Sequence, residues 1–401
     1  MNEEIVVVGG GVGGLMVAAR VARAGRAVRV LERASRTGGH ALSPPVGGVP
    51  MNLGAHALYL GGPAERALGE LGVAFDGFQP RASDGWLARG DAAFRAPASV
   101  VSLFATGWLT LRERFALARF FATLERARVP AASTKEWLDA LGLPGGARAF
   151  VDTMVRVSTY GDVPDLLPAE IALRQLRVAV GPRAKGVVYV EGGWASLALS
   201  LEAVARAAGA RVTTDAHVTH VGADGRVTLA SGETIAARHV VVALPRAAAA
   251  HVVGWSAPER PPLRAACLDL ALEAAPTRRL VLGLDEPHYF SVHSPASADA
   301  PIRAHALRYL RPGEVGAECK ERLERWAGAI APGLRIAARR FLPELDVMSA
   351  VPARDAAPPA MERVSFAGDW TSFGLMLLDA VAESAEAAAA RALAERSRAA
   401  A

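Results

Sequence analysis

The chain opens on a run of apolar β-formers, Ile5–Val8, which passes through a group of glycines into an apolar, helix-forming stretch over residues 12–24 that closes on Gly25. An apolar run without alternation reads as a strand buried on both faces. A second such run, AVRVLE, ends in Glu32. Strand, glycine turn, helix and strand in this order predict a βαβ unit on a parallel sheet. From Gly61 to Lys185 the apolar spacing becomes helical and predicts helices over residues 63–71, 110–128, 133–141, 147–158 and 168–178. The pattern then returns to strand, double glycine, helix and strand, followed by a hairpin with turn signals at Asp224-Gly225 and Ser231-Gly232 that ends in VVVALP. Strands over residues 279–284, 289–293 and 302–310 and a helix over 314–330 come next, and the chain closes on a strand, RVSFAGD, and a long helix.

The glycines carry the first chemistry. Gly9, Gly11 and Gly14 fit GxGxxG, in which one glycine allows the tight turn, one lets the backbone approach a pyrophosphate and one lets helix and strand pack closely. The helix that follows offers its positive end to the phosphates. Glu32, about 20 residues further on, is the carboxylate expected on the ribose hydroxyls.

Composition bounds the rest. A chain of 401 residues that is 51% hydrophobic has material for two or three domains with large cores. Its 45 basic and 40 acidic residues are interspersed and leave only +5, which argues against nucleic acid as a partner. Cys267 and Cys319 lie far apart without metal-ligand spacing, so neither a zinc site nor a disulfide framework is expected. With the first strand so near Met1, and with no apolar run long enough to span a bilayer, the expectation is a cytoplasmic protein.

Beyond Glu32 the segment RASRTGGHALS places Gly38 and Gly39 shortly after the acid, and the terminal RVSFAGDWTSFGLMLLDAVAESA joins a strand, a Gly-Asp pair and a helix. With the opening unit and the central VVYVEGGWASLALSLEAVARAAGARVTTDAHVTHV, these motifs resemble the flavin-containing amine oxidase superfamily, which includes the phytoene desaturases and protoporphyrinogen oxidases. The resemblance implies an α/β fold: a Rossmann-like FAD-binding domain of residues 1–60, 186–250 and 341–401, and a discontinuous α+β substrate-binding domain of residues 61–185 and 251–340 that carries a helical cap. It also implies non-covalent FAD, since no cysteine falls in the terminal motif. Carried over residue by residue, it puts Glu32 at the ribose with Arg33 beside it. Gly38, Gly39 and His40 come to the phosphates, with His40 where the family usually has Arg. Gly54 and Ala55 would touch the flavin ring, with Asn52 where Asp is common. Val218 would meet the adenine through its backbone, and Ala243 would run beneath the cofactor. Gly368 and Asp369 would approach the pyrophosphate and ribityl chain, and Leu377 and Ala380 would bring the last helix to the pyrimidine side. Asp379 and Ser384 stand where glycines are usual.

The resemblance implies hydride transfer from a substrate carbon to flavin N5. His56, Tyr289 and His293 are the candidate catalytic residues, while Phe290 and Arg308 are candidates to line a pocket. The amine-oxidizing branch implies a lysine near N5 and paired aromatics. This chain has only Lys135, Lys185 and Lys320; the strand expected to carry that lysine holds Arg278 and Arg279, and Met376 stands at an aromatic position. The expectation is therefore a desaturase, dehydrogenase or oxidase. Its substrate would be small and lipophilic (terpenoid, carotenoid-like, polyketide or tetrapyrrole), with dioxygen or another electron acceptor reoxidizing the flavin. Amine or amino-acid oxidation stays open. So do a flavin mutase such as UDP-galactopyranose mutase, which five tyrosines disfavour, and a non-catalytic binding protein resembling the GDP dissociation inhibitors. The amphipathic stretch 104–129 leaves peripheral membrane contact open as well.

Overall fold

The computed structural model describes residues 4–295, 301–353, 357–371 and 374–394. The opening strand Ile5–Val8 is wholly buried, and it pairs in parallel with Val28–Leu31 on one side and His239–Val242 on the other. Arg211–Thr213 and Val364–Phe366 complete this parallel sheet at its two edges. One face is covered by the helices Val12–Arg23, Trp194–Ala207 and Leu377–Ala394, whose Ala, Leu and Val side chains share one core with the sheet. The other face packs on a three-stranded meander, Val218–Val221, Arg226–Leu229 and Thr234–Ala236, and on the helix Arg246–Val253. The chain therefore returns to this sheet from three separate stretches.

A second, seven-stranded sheet follows the order Ile336–Met348, Leu263–Leu272, Ile302–Leu310, His288–Val292, Leu280–Gly283, Gly85–Arg89, Ala92–Arg95. All its pairings are antiparallel except Leu280–Gly283 with Gly85–Arg89. The helices Leu111–Thr123, Thr134–Ala140, Gly145–Thr159 and Ala169–Val180 cover one face, and Lys320–Ile330 covers the other. Two of the covering helices start on capping boxes, Thr110 with Glu113 and Ser133 with Glu136, each satisfying backbone donors at both ends of the pair.

Three expectations change. The region 61–185 is not purely helical, because the hairpin Gly85–Arg89 and Ala92–Arg95 lies inside it and joins the second sheet. The strands Leu263–Leu272 and Ile336–Met348 were not expected at all. The first is buried on both faces and rich in alanine, so it lacks alternation; the second lies at the sheet edge and contains Pro343, which sheets tolerate only at edges or bulges. The second strand also runs through the expected domain boundary between residues 340 and 341, so the substrate sheet extends to Met348. Among the described residues no helix is long and apolar enough to cross a membrane.

Candidate active site

The glycine spacing is explained by close packing. A Cβ at Gly14 would collide with the carbonyl oxygen of Gly9, and one at Gly9, whose φ is +105°, would collide with that of Ala243. These two positions bring strand and helix together. Gly11 differs, because a Cβ there would meet nothing nearer than the Cα of Gly39 at 4.0 Å. Gly38 closes over the same point, its N–H donating to the Gly10 carbonyl at 2.8 Å. The helix Val12–Arg23 starts at Gly11 with no side-chain cap and no acid in its first turn, so its positive end is left to an external anion. Glu32 accepts from the N–H groups of Gly10 at 2.7 Å and Ala34 at 2.8 Å, which fixes its carboxylate at the strand end. The Ala216 N–H donates to the Glu32 carbonyl and brings Val218 near that end, while the Ala243 N–H donates to Val8 and runs behind the glycines. Arg33 and His40 are exposed on the rim. Open space over Gly11, an uncapped helix start and a fixed carboxylate are what FAD requires, and these residues fit it.

The terminal motif meets the cradle from the other side. The two polar residues that replace glycines have visible tasks. The Ser384 hydroxyl accepts from the Gly368 N–H at 2.9 Å and ties the Gly-Asp turn to the last helix. Asp379 accepts from the Ala64 N–H at 2.9 Å and so caps the helix Pro63–Glu70. Burial raises its carboxyl to about 6, although that hydrogen bond and Arg66 favour the charged form. Asp369 accepts from the Ser349 N–H at 2.7 Å and hydroxyl at 2.6 Å, joining the motif to the end of the strand Ile336–Met348; burial pushes its carboxyl up despite those bonds. Leu377 begins the last helix in the left-handed region at φ 58°, and Ala380 is buried one turn beyond Met376. A leucine held there is local strain of the kind found at binding sites.

The loop around residues 51–56 is held by a cluster that sequence reasoning missed. Its partner is the strand Leu263–Leu272, not the strand near Arg278 and Arg279. Arg279 instead lies over the Phe78 ring and donates to the Ser294 carbonyl. Asp269, wholly buried, accepts from the Gly54 N–H at 3.2 Å, from His305 Nδ1 at 2.8 Å and from Arg340 Nε and Nη2 at 2.9 and 2.6 Å. Arg340 also donates to the carbonyls of Asn52 at 2.8 Å and Met51 at 3.3 Å. Burial alone would raise the Asp269 carboxyl, but the hydrogen bonds from His305 and Arg340 and the Arg340 charge hold it below its usual value. The signal available in the sequence was the single carboxylate inside the apolar run CLDLAL. Asn52 accepts from the Trp194 N–H at 2.8 Å, binding the same loop to the central glycine turn.

The three candidate catalytic residues are brought near this loop. His56 donates from Nδ1 to the Gly54 carbonyl at 3.1 Å and packs edge-on to Trp194. Burial, with smaller contributions from His305 and His40, lowers it to about 4, so it is neutral at pH 7. His293 stacks on Tyr189 at 3.6 Å and bonds Ser291 Oγ at 2.7 Å; burial first, then His305, Arg303 and His56, push it well below its usual value. Tyr289 lies 3.4 Å from Tyr189, hydroxyl to hydroxyl, and its ring lies 5.9 Å from that of Tyr160, which contacts Tyr309 in turn. Tyr59 completes the group, donating to the Ser158 carbonyl at 3.2 Å. All five tyrosines of the chain are buried; Tyr160, Tyr289 and Tyr309 share one core with Met376 and Ala55, and Tyr189 and Tyr59 border it. Two residues lie elsewhere: Arg308 is held by Glu286 and Glu314 beside His288, and Phe290 faces the helix Lys320–Ile330.

The family model for flavin containing amine oxidoreductases matches residues 12–298. AofH of Mycobacterium tuberculosis, whose name describes a flavin-containing monoamine oxidase, is 32% identical over 273 residues, which are 61% of this chain and 57% of that protein. The match thus spans little more than half the length of this relative. An oxidoreductase from Methanosarcina mazei has the same fold, with TM-score 0.79 at 18% identity over 96% of this chain and 99% of that one. Cyclohexylamine oxidase from Brevibacterium oxydans also shares it, with TM-score 0.73 at 16% identity over 98% and 99%. With the glycine cradle, the fixed Glu32 and a family match across most of its length, the chain belongs to the flavin-containing amine oxidoreductases, a family of FAD-dependent oxidoreductases.

Proposed function

We propose that the protein removes hydride from a small, largely apolar substrate, with FAD held non-covalently between the glycine cradle and the last helix. FAD supplies the hydride acceptor, and the protein supplies binding and orientation. The observation that carries this reading is the interior beside Ala55, Met376 and Leu377, which is aliphatic and tyrosine-rich and receives no lysine: Lys135, Lys185 and Lys320 are all exposed. Such a lining recognizes apolar bulk and offers a few hydroxyls for orientation. The cofactor residues would be Gly9, Gly11, Gly14, Glu32, Arg33, Gly38, Gly39 and His40 at the nucleotide end, with Val218 and Ala243 beside them. Gly54, Ala55, Gly368, Asp369, Leu377 and Ala380 would stand toward the ring. The cap also exposes Val100, Val101, Leu111 and Phe115, which supports peripheral contact with a membrane that stores such a substrate.

A second reading, amine oxidation, is favoured by the same five buried tyrosines, since aromatic faces and hydroxyls can surround an amine, and by the relative AofH. An anaerobic screen of the FAD-loaded protein separates the two, with bleaching of the flavin absorption band as the signal. Polyene, terpenoid or tetrapyrrole substrates are expected to bleach it. Bleaching by primary amines alone would overturn the first reading in favour of the second, and failure to take up FAD would overturn both.

A further inference from the structure

We propose that Asp269 and His305 form a built-in proton acceptor for the dehydrogenation, with His305 Nε2 as the accepting atom and Asp269 as the residue that positions it. The proposal rests on the flavoenzyme reading above. Removing two hydrogens from a substrate takes away one hydride, with its electron pair, and one proton; the hydride goes to the flavin, and the proton needs a base. His305 Nδ1 lies 2.8 Å from Asp269 Oδ1, and both residues are buried. An ionized carboxylate can only accept, so the Nδ1 of His305 carries the hydrogen and Nε2 keeps its lone pair. The ring lines a narrow cleft of about 10 Å³, room for a single water, together with Asn52, Tyr189, Gly193, His293 and Arg303, so a proton reaches the free nitrogen through that water. The same carboxylate accepts from the Gly54 N–H, so the dyad is fixed against the loop expected at the flavin ring.

The charges around the dyad suit this task. When Nε2 takes a proton, the imidazolium faces a carboxylate anion that is already ionized and held by two bonds from Arg340. Opposing cations are Arg340 and Arg303, and His293 and His56 are kept neutral by burial. Tyr189 faces the cleft as a neutral phenol, its ionization pushed up by burial. Cys267, whose Sγ lies 3.6 Å from Asp269 Oδ1, is likewise kept a thiol by burial and by that carboxylate. Cys267, Asp269 and His305 could in principle hold a metal ion, but the Arg340 guanidinium already occupies Asp269 Oδ2 and supplies the positive charge there.

The test needs no substrate. The FAD-loaded protein is reduced stepwise by dithionite without oxygen at a series of pH values, and the midpoint potential is plotted against pH. The wild type is expected to show a break in slope where His305 takes up its proton. His305→Gln removes the break, and Asp269→Asn moves it to lower pH, because the lost carboxylate no longer stabilizes the imidazolium. An unchanged break in His305→Gln with FAD still bound assigns it to the flavin itself and overturns the proposal; so does a wild type without a break. If the variants do not fold, nitrogen-15 spectra of histidine-labelled wild type decide. They are expected to show a His305 ring that is protonated at Nδ1 alone in the oxidized protein and at both nitrogens after reduction, and a ring unchanged by reduction overturns the proposal. A protein that takes up no FAD would fail at the flavoenzyme reading, which separates that failure from this one.

Discussion

At the scale of single residues, the glycine spacing could be read from the sequence but the division of labour within it could not. Gly9 and Gly14 are forced by backbone contacts inside the protein, whereas a Cβ at Gly11 would make only ordinary van der Waals contact with Gly39. The two classes predict different variants. Gly14→Ala should lower stability by about 1–3 kcal/mol, through forced separation of strand and helix, and this is read from thermal unfolding of the apoprotein. Gly11→Ala should leave apoprotein unfolding unchanged while weakening FAD at least about tenfold, or ~1.4 kcal/mol, because the methyl group fills the approach to the helix start. Equal loss of apoprotein stability in both variants would refute the division. Asp269, His305 and Arg340 were illegible for a different reason. Each comes from a different strand of the antiparallel part of one sheet, and nothing in a local window pairs residues so far apart.

At the scale of elements, most helices were legible because amphipathic spacing is local, although Val100–Ala105 and Arg246–Val253 escaped, and Ile302–Leu310 was legible as a largely apolar run. The strands Leu263–Leu272 and Ile336–Met348 escaped because tertiary burial and an edge position, rather than local pattern, made them strands. The cap on the helix Pro63–Glu70 was equally invisible, since the capping carboxylate comes from Asp379 in the last helix. That cap carries a pH dependence of definite sign. With a carboxyl raised from 3.8 to about 6, the folded protein holds this proton more tightly than the unfolded chain does. Its contribution to stability is therefore fully present below pH 3.8 and is lost as the pH rises through about 6. Asp379→Asn keeps the acceptor for the Ala64 N–H without the charge. It should be more stable than wild type at neutral pH, by roughly 3 kcal/mol as an upper bound for a shift of about two pH units. The advantage should vanish in acid. Denaturant unfolding of both proteins across that range checks it, and a difference independent of pH would show that Asp379 acts only as a neutral cap.

At the scale of the whole molecule, the cofactor site is assembled from parts that lie far apart in the sequence. The glycine cradle lies at the start of the chain, the ring-side loop follows the second strand, and the Gly-Asp turn comes near the end. The cradle and the Gly-Asp turn share the first sheet and its helices, whereas the ring-side loop is held from the second sheet. Arg340 and Asp269 hold the ring-side loop, and Ser349 holds Asp369. A ligand that touches all three parts adds to these connections, and it stabilizes the folded state by mass action because the unfolded chain has no such site. Free FAD at about a hundred times its Kd should therefore raise stability by about 2.7 kcal/mol. The increase should delay unfolding of both sheets together. Arg340→Met separates connection from mere binding, because it removes the bonds that tie Met51 and Asn52 to Asp269 while leaving the Gly54 bond and the glycine cradle intact. In that variant FAD should still bind through its nucleotide end, but protection by FAD should fade over the ring-side loop and remain around Gly9 to Gly14. Hydrogen exchange measured with and without FAD gives the reading, and protection retained equally at both places would mean that the loop is held by FAD alone, without the second sheet.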